Sequence, residues 1–340
     1  MNSIPSDRIE ALAALVQNAS RVAVVGHTRP DGDALGSTAA LALYLQSLPG
    51  KTVSCVFSDS PAENLRFLLP GKLCYHFHDS QPAQAQAAVR EADLVFLLDC
   101  NGFSRTEALQ PFLEASPAPK VLIDHHLNPD SASFSLVFST PEVSSASELL
   151  YWILKAMGAP VTGEIGTSLM AGMTTDTNNF ANSVFPSTFR MASELISGGV
   201  NRDALLEQIY QQYRPNRVRL MGYMQNEGLH LLPCGAAYML LTSEIQQRFD
   251  LREGEAEGLV NVPLSIAEVR LSILLKEEKD RFRVSIRSKK GTSAQQLAAG
   301  YFHGGGHENA AGGKLLIGTD IPSADAAAAY VENALNSFFG

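Results

Sequence analysis

The chain has 340 residues, of which 45% are hydrophobic and 18% charged, a balance that suits packed domains and argues against a disordered or fibrous protein. A net charge of −9 argues against a long basic track for duplex nucleic acid, but is compatible with small anionic substrates. The four cysteines are scattered without the spacing of a thiolate metal site or a disulfide framework.

The beginning of the chain predicts its location. Residues 1–7 lack a basic start and a long apolar run, so we expect no signal peptide and a cytoplasmic protein. No segment approaches the ~18–20 uninterrupted apolar residues of a transmembrane helix, and we therefore expect no membrane partner.

The first predicted strand leads into the most informative turn of the sequence. A strand-like run at residues 22–26 is followed by His27, Asp31 and Asp33, and a helix-like stretch begins at Asp33. The turn therefore lies at the carboxyl end of a buried strand, where open α/β sheets hold their ligands. One imidazole and two carboxylates at this place predict a metal site.

Three later segments repeat the arrangement, each with an apolar run ahead of an acid or a histidine. Leu94–Leu98 precedes Asp99, Val121–Ile123 precedes the triplet Asp124-His125-His126, and Leu169–Met173 precedes Asp176. If these runs are neighbouring parallel strands, their polar ends collect at one edge of the sheet. Two like charges ~4 Å apart repel by about 4 kcal/mol at an effective dielectric near 20, so the four carboxylates beside His27 and His125 call for two divalent cations.

The donor types indicate which ion. Oxygen and imidazole ligands without thiolate favour Mn²⁺, with Mg²⁺ or Co²⁺ as alternatives. Two such ions about 3.5–4 Å apart lower the pKa of a bridging water and clamp a phosphoryl group, which indicates phosphoester hydrolysis. The alternative is that Asp31, Asp33 and Asp99 cap helices. Capping explains neither the paired histidines nor the order of the motifs.

The remaining pattern predicts an α/β fold, with a parallel-sheet catalytic domain and a smaller mixed α/β second domain across a cleft. Strand-like runs at 22–26, 52–57, 94–98 and 120–123 alternate with helical stretches that include residues 33–48 and 144–157. We expect a catalytic domain at 1–190, a helical linker at 191–217 and a second domain at 218–340. Residues 187–213 look helical. Second-domain strands are expected at 236–241, 268–275, 281–286 and 314–317, before a helix at 324–338.

A glycine segment, Gly304-Gly305-Gly306, marks the second domain. Glycine lets a backbone approach a phosphate and reaches positive φ without strain. An isolated Gly-Gly-Gly is more often a flexible turn, but His307 follows here and Arg287-Ser288 lie upstream. These neighbours favour an anion site, and an arginine fork suits a terminal phosphate.

In this order, the motifs resemble those of the DHH phosphoesterase superfamily, named for the triplet seen here as Asp124-His125-His126. Residues 304–313 resemble the glycine-histidine signature of the DHH-associated domain. A chain with one domain of each kind is similar to the nano-RNase A group. Those proteins degrade very short RNAs to mononucleotides and remove the 3′-phosphate from 3′-phosphoadenosine 5′-phosphate. The resemblance implies short single-stranded RNA and small nucleotides as partners, no long duplex, and allows a homodimer.

The resemblance also assigns residues by matched position. His27 and Asp31 would hold one ion, Asp33, His125 and Asp176 the other, and Asp99 would bridge both. His126 would face the substrate phosphate and Asp124 would orient a neighbouring histidine. The substrate's phosphate or nucleotide end would contact Arg287, Ser288, Gly304, Gly305, Gly306 and His307. The chain departs from the family pattern at His303, where glycine is usual, and this imidazole is either a base or phosphate contact or a surface residue.

Three alternatives are weighed against this function. A phosphodiesterase of linear or cyclic diadenylate would use the same site. Hydrolysis of pyrophosphate or polyphosphate is disfavoured because residues 304–313 resemble the nucleotide-acting branch. A nucleotide-binding regulator without catalysis is disfavoured because every expected ligand is present. The physiological substrate, the direction of RNA degradation, the preferred metal and the oligomeric state stay open.

Overall fold

The computed structural model describes residues 4–340 and divides the chain into two compact units, Met1–Gln212 and Tyr213–Gly340. Residues 1–3, part of the segment on which the absence of a signal peptide was predicted, lie outside the described residues. Within the described part, no helix combines the length and the apolar character that a membrane crossing needs.

The first unit is a parallel sheet covered on both faces by helices. Its strands are β1 (Arg21–Val25), β2 (Thr52–Phe57), β3 (Cys74–Phe77), β4 (Leu94–Leu98), β5 (Lys120–Asp124) and β6 (Leu136–Ser139). Its helices are α1 (Ser6–Asn18), α2 (Gly32–Ser47), α3 (Pro82–Glu91), α4 (Gln110–Ala115), α5 (Ala146–Ala156), α6 (Gly163–Asp176), α7 (Pro186–Ser197) and α8 (Arg202–Tyr210). The strand order is β3-β2-β1-β4-β5-β6, and every described pair in this sheet is parallel.

The apolar strands follow from this architecture. Val22 and Val24 of β1 enter one core, while Ala23 and Val25 enter the core on the opposite face. Because both faces are buried, parallel strands read as continuous apolar runs, and the α/β fold expected from the sequence is confirmed. The chain reverses its direction across the sheet between β1 and β4, so the carboxyl ends of these two strands form the switch point where such sheets bind ligands.

The strand expected at Leu169–Met173 is wrong, because these residues belong to the fourteen-residue helix α6. A short apolar run does not distinguish a buried strand from a buried helix. The small residues explain the outcome: a Cβ on Gly36 of α2 would lie 2.5 Å from Ser168 O, and one on Gly172 would lie 2.0 Å from Ser147 Oγ. Glycine at both places lets α6 pack closely against α2 and α5.

The segment 187–213, which the sequence predicts to be helical, contains two helices. α7 ends at Ser197, and Gly199 has a φ of 93° before α8 begins at Arg202. Met191 and Leu195 of α7 and Leu205 of α8 are buried in the core of the first unit. Most of the segment predicted to be a linker therefore packs within the first unit.

The second unit contains a mixed sheet. Its helices are α9 (Pro215–Asn226), α10 (Ser243–Arg248), α11 (Ala294–Tyr301) and α12 (Ala327–Phe339). Its strands are β7 (Leu229–Leu232), β8 (Ala236–Leu241), β9 (Leu271–Glu277), β10 (Arg281–Ser288), β11 (Gly305–Gly306) and β12 (Ala310–Leu316), in the order β11-β12-β10-β9-β8-β7. β8 and β9 are parallel and the other pairs antiparallel. Tyr238 and Met239 face opposite cores, so this sheet is also covered on both sides.

Candidate active site

The turn after β1 presents His27 and Asp31 together. His27 Nδ1 lies 2.7 Å from the carbonyl oxygen of Thr28. A carbonyl oxygen only accepts, so Nδ1 carries a proton, and Nε2 is the nitrogen whose lone pair becomes available when the ring is neutral. Nε2 is 3.6 Å from Asp31 Oδ1, which also accepts the N–H groups of Asp33 and Ala34 at 3.0 Å each. Asp31, and not Asp33, is thus the N-cap of α2.

Asp99 lies between two histidines. It follows β4 with a φ of 56°, a left-handed conformation that is strained for most side chains, and its N–H donates to Ile123 O at 3.1 Å. Oδ2 is 3.5 Å from His27 Nε2, and Oδ1 is 3.3 Å from His125 Nε2. One buried carboxylate therefore faces the imidazoles that follow β1 and β5.

The triplet Asp124-His125-His126 begins at the last residue of β5, and its two histidines have different partners. His125 Nε2 lies 3.6 Å from Asp176 Oδ2. Asp124 accepts the N–H of His126 at 3.1 Å and lies 2.7 Å from its Nδ1. A carboxylate partner at Nδ1 fixes the orientation of the His126 ring. Nε2 therefore lies on the side of the ring that faces away from Asp124. His126 Nδ1 is also 3.8 Å from Asp99 Oδ1.

Asp33 is held by the first turn of α5. The N–H of Ala146 donates to Oδ2 at 2.7 Å and the N–H of Ser147 to Oδ1 at 3.0 Å. Oxygen or nitrogen atoms of Asp33, His125 and Asp176 lie within 4.8 Å of one another. Asp176 is the last residue of α6, where the helix dipole disfavours a negative charge and favours a nearby cation.

The histidines carry protons in the absence of metal. Burial opposes the charged form of His27, but the hydrogen bonds and charges of Asp31 and Asp99 outweigh it and raise its pKa to about 10. Burial also opposes the charge of His125, and the carboxylates around it, Asp99 foremost, raise its pKa to about 10. These protons offset part of the negative charge that the site concentrates.

The carboxylates show the same excess of negative charge. Burial and the charges of Asp99 and Asp176 raise the pKa of Asp33 well above its ordinary value. Burial raises the pKa of Asp176 to about 7 against the effect of His125. Burial opposes ionisation of Asp99, but hydrogen bonds from His125 and His27 outweigh it and lower its pKa. Groups forced toward protonation at neutral pH indicate a site built for added positive charge.

The donors fit divalent metal ions. His27, Asp31 and Asp99 form one group whose ligand atoms lie within 4.8 Å of one another, and Asp33, His125 and Asp176 form a second. Asp99 Oδ1 is buried, and its nearest donor, His125 Nε2, lies at the long distance of 3.3 Å, so this oxygen is poorly satisfied unless a cation lies beside it. The set contains imidazole and carboxylate without thiolate, the donors of Mn²⁺ and related ions.

The structure also shows supporting residues that the sequence pattern did not single out. Asp59 accepts the Thr28 hydroxyl and, at 2.7 Å, the Arg29 N–H, and so holds the turn that carries His27. Glu148 organises the first turn of α5, which binds Asp33. Its signal in the sequence is Ser145-x-x-Glu148, the spacing of a capping box.

In the second unit, the predicted substrate residues meet at one end of the sheet. Arg287 of β10 is paired with Ala310 of β12, and the N–H of His307 donates to Ala310 O at 2.8 Å. The Ser288 hydroxyl is buried, donates to Thr292 O at 2.6 Å and accepts from the Asn309 amide at 3.0 Å.

Backbone packing within the second unit requires glycine at residues 304 and 306. A Cβ on Gly304 would lie 2.0 Å from Gly312 O, and Gly306 has a φ of 143° with a Cβ position 2.6 Å from Ala310 O. Gly305 and Gly306 form β11 against β12, so the segment is a paired strand and not a simple turn. Preceding it, His303 has a φ of 46°, and its Nε2 lies 3.0 Å from Asp320 Oδ1.

Comparison with known proteins agrees with this organisation. Residues 21–173 match the model of the DHH family, N-terminal domain, and residues 237–335 match the DHHA1 domain. The bifunctional oligoribonuclease and PAP phosphatase NrnA of Thermus thermophilus is 30% identical over 307 residues, 88% of this chain and 86% of that protein. The Bacillus subtilis protein of the same name is 28% identical over 297 residues, 85% and 87% of the two chains.

A solved structure extends the likeness to the whole chain. The exopolyphosphatase-related protein from Bacteroides fragilis superposes with a TM-score of 0.92 at 32% identity, covering 100% of this chain and 98% of that one. Both the sequence relatives and this structure span nearly the full length of the protein. The chain belongs to the DHH family and carries a DHHA1 domain after its DHH domain.

Proposed function

We propose that the protein is a metal-dependent phosphoesterase that hydrolyses very short oligoribonucleotides to mononucleotides and removes the 3′-phosphate from 3′-phosphoadenosine 5′-phosphate. The observation that carries the proposal is Asp99, a buried carboxylate whose two oxygens face His27 and His125 in neighbouring groups of metal ligands. The names of the Thermus thermophilus and Bacillus subtilis relatives support the choice of substrates.

His27 and Asp31 are proposed to hold one ion, Asp33, His125 and Asp176 the second, and Asp99 both. Mn²⁺ suits this mixture of imidazole and carboxylate best, with Mg²⁺ or Co²⁺ as substitutes. When bound, two divalent ions would lower the pKa of a water molecule and would provide positive charge for the phosphoryl oxygens. Direct hydrolysis of this kind requires no covalent intermediate with the enzyme.

The protein's own groups then orient the phosphate and move protons. Asp124 fixes the Nδ1 side of His126, so Nε2 is the atom proposed to contact the substrate phosphate. In its protonated form, Nε2–H donates to a phosphoryl oxygen and stabilises the charge that grows there. Arg287, Ser288, Gly304, Gly305, Gly306 and His307 are proposed to bind the phosphate or nucleotide end of the substrate.

A turnover panel tests the proposal. The wild-type protein with Mn²⁺ is offered RNAs of two to five nucleotides, a long single-stranded RNA, 3′-phosphoadenosine 5′-phosphate, cyclic diadenylate and pyrophosphate. We expect release of mononucleotide from the shortest RNAs and of phosphate from the bisphosphate, and loss of both with EDTA.

Other outcomes of the panel would contradict the proposal. Preference for cyclic diadenylate would make the protein a dinucleotide phosphodiesterase, and preference for pyrophosphate would remove the nucleotide assignment. If Mn²⁺ binds but no substrate is turned over, the protein would instead be a nucleotide-binding regulator.

A further inference from the structure

Glu148 is a buried acid that the proposed chemistry does not use. Its side chain is inaccessible to solvent, and no salt bridge to it is found among residues 4–340. A buried carboxylate without a cation is costly unless hydrogen bonds satisfy it. The bonds that do so identify what the residue is for.

Three donors converge on one oxygen of Glu148. Oε2 accepts the N–H of Ser144 at 2.9 Å, the Ser144 hydroxyl at 2.6 Å and the Thr188 hydroxyl at 2.6 Å. Thr188 Oγ1 in turn accepts the Phe185 N–H at 3.0 Å, so its own proton is directed to Glu148. Oε1 lies 3.4 Å from Trp152 Nε1. Every partner is a donor, which is the pattern of an ionised carboxylate.

These bonds fix the beginning of α5. Ser144 directly precedes the N-cap Ser145, whose hydroxyl oxygen accepts the N–H of Glu148 at 3.0 Å. Thr188 lies in the first turn of α7. Glu148 therefore joins the first turn of its own helix to the first turn of another.

The same turn of α5 is the part of the structure that binds Asp33. The two N–H groups that Asp33 accepts belong to Ala146 and Ser147, between the N-cap and Glu148. Together they determine the plane of the carboxylate and leave its remaining lone pairs for the group it forms with His125 and Asp176. A shift of this turn would rotate Asp33 within that group.

We propose that Glu148 is a positioning residue for the metal site formed by Asp33, His125 and Asp176, acting through the first turn of α5 and not by contact with the ion or the substrate. The inference rests on the proposed function, because it requires that these three residues hold a divalent ion.

Mn²⁺ binding measures this role without turnover. The free ion is followed by electron paramagnetic resonance during titration of Glu148→Gln, a variant of nearly equal volume whose amide cannot accept all three bonds on one atom. We expect one of the two Mn²⁺ affinities to fall by about 10-fold or more, the effect typical of lost outer contacts, and the other to stay at the wild-type value.

Glu194→Gln is the matched control. Glu194 of α7 also connects to α5, through the Tyr151 hydroxyl at 2.5 Å and Lys155 Nζ at 2.9 Å, but within the described part of the chain it forms no hydrogen bond to residues 144–148 or Asp33. Both Mn²⁺ affinities should stay at the wild-type value in this variant. Equal weakening by E194Q and E148Q would mean that any loss between the two helices suffices, and would overturn the inference.

Thr188 provides a second route that does not alter the charge. Thr188→Val keeps the shape of the side chain and removes the donor, whereas Thr188→Ser keeps the hydroxyl. We expect the valine variant to weaken the same Mn²⁺ site as E148Q and the serine variant to bind as the wild type does. The pair also covers the case in which E148Q fails to fold.

The opposing results are distinct. Unchanged affinities in folded E148Q and T188V, or equal weakening of both sites, would overturn the positioning role while leaving the metal assignment intact. Absence of Mn²⁺ binding by the wild-type protein would overturn the proposed metal site itself, and the positioning role with it.

Discussion

Asp124 binds His126 twice, accepting its backbone N–H on Oδ2 at 3.1 Å and facing Nδ1 with Oδ1 at 2.7 Å. The carboxylate is completely buried, whereas His126 keeps part of its ring exposed. The buried Asp124 thus determines the tautomer and the orientation of the His126 imidazole, which is accessible to solvent.

Asp124→Asn tests this arrangement. An amide can turn its NH₂ group toward Nδ1, which would stabilise the wrong tautomer, so we expect kcat to fall by roughly 10- to 100-fold. KM and Mn²⁺ affinity should change little, because the ligand atoms of the two metal groups are untouched. Steady-state kinetics on a dinucleotide check this. A variant with normal kcat would show that His126 needs no orientation by Asp124.

Replacement of Asp99, unlike replacement of Asp124, should weaken Mn²⁺ binding as well as turnover. Asp99→Asn keeps the size of the side chain but removes the charge that faces His27 and His125. We expect turnover to be abolished and Mn²⁺ binding to be weakened at both sites, since one residue serves both groups. Titration with Mn²⁺ measures the number and affinity of the bound ions, and the rate of phosphate release from 3′-phosphoadenosine 5′-phosphate measures turnover. Normal activity of folded D99N would contradict the metal assignment.

The metal-free protein should lose stability as the pH rises. The pKa values of His27 and His125 are about 10 in the fold, against an ordinary value of 6.5. A raised histidine pKa contributes stability that is fully present below the unfolded value and is lost as the pH rises through the folded value. Asp176, with its pKa raised from 3.8 to about 7, acts in the same direction at lower pH.

Thermal unfolding in EDTA measures this dependence. We expect a lower Tm at pH ~8.5 than at pH ~6.5, a window below the ordinary titration of lysine and tyrosine. His27→Gln should flatten the dependence, whereas His230→Gln, at an exposed position of β7, should not. Saturating Mn²⁺ should reverse it, because the ion replaces protons that are released more readily at high pH. A Tm of the metal-free protein that rises with pH would contradict this account.

Arg287 is expected to affect binding more than chemistry. Its backbone pairs with Ala310, next to His307 and the glycines, and Arg287 Nη1 donates to Ile286 O at 3.0 Å. Arg287→Ala should raise KM for dinucleotides by roughly 10-fold or more, because a charge-assisted bond to a phosphate is lost. kcat should change much less. Arg287→Lys, which keeps the charge without the fork, should be intermediate. A fall in kcat at constant KM would contradict a binding role.

The sequence predicted β1, β2, β4 and β5 because buried parallel strands are apolar throughout, and β1, β4 and β5 each end beside a polar residue of the site. It did not predict the edge strands β3 and β6, whose residues are mostly only partly buried. It misassigned Leu169–Met173 because five apolar residues fit either a strand or the inner part of α6. Asp33 contacts the first turn of α5, which lies more than a hundred positions later in the chain, at separations of 113 and 114 residues. No local sequence pattern can predict a contact between residues so far apart. Glu148 could be found as a capping box, but its partner Thr188 lies forty residues away.

His303 provides the last test, because the structure gives it a partner within its own unit. Its Nε2 lies 3.0 and 3.1 Å from the two oxygens of Asp320, and Asp320 Oδ2 accepts the Leu316 N–H at 2.8 Å. The His303 side chain is 52% exposed, so the pair contributes at most about 1 kcal/mol. A non-glycine residue at its φ of 46° costs roughly 1–2 kcal/mol, which glycine would not incur.

The contact with Asp320 and the backbone strain at residue 303 predict different stabilities for His303→Gly and His303→Ala. His303→Gly loses the pair and relieves the backbone, so its free energy of unfolding should be within about 1 kcal/mol of the wild-type value. His303→Ala loses the pair and keeps the strain, and should be less stable than H303G by roughly 1 kcal/mol. Urea unfolding of both variants, alone and combined with Asp320→Asn, measures this. Asp320→Asn should cost less in H303G than in the wild type, because the hydrogen bond between residues 303 and 320 is already gone. KM should stay unchanged in H303G, and a rise of tenfold would instead make His303 a substrate contact.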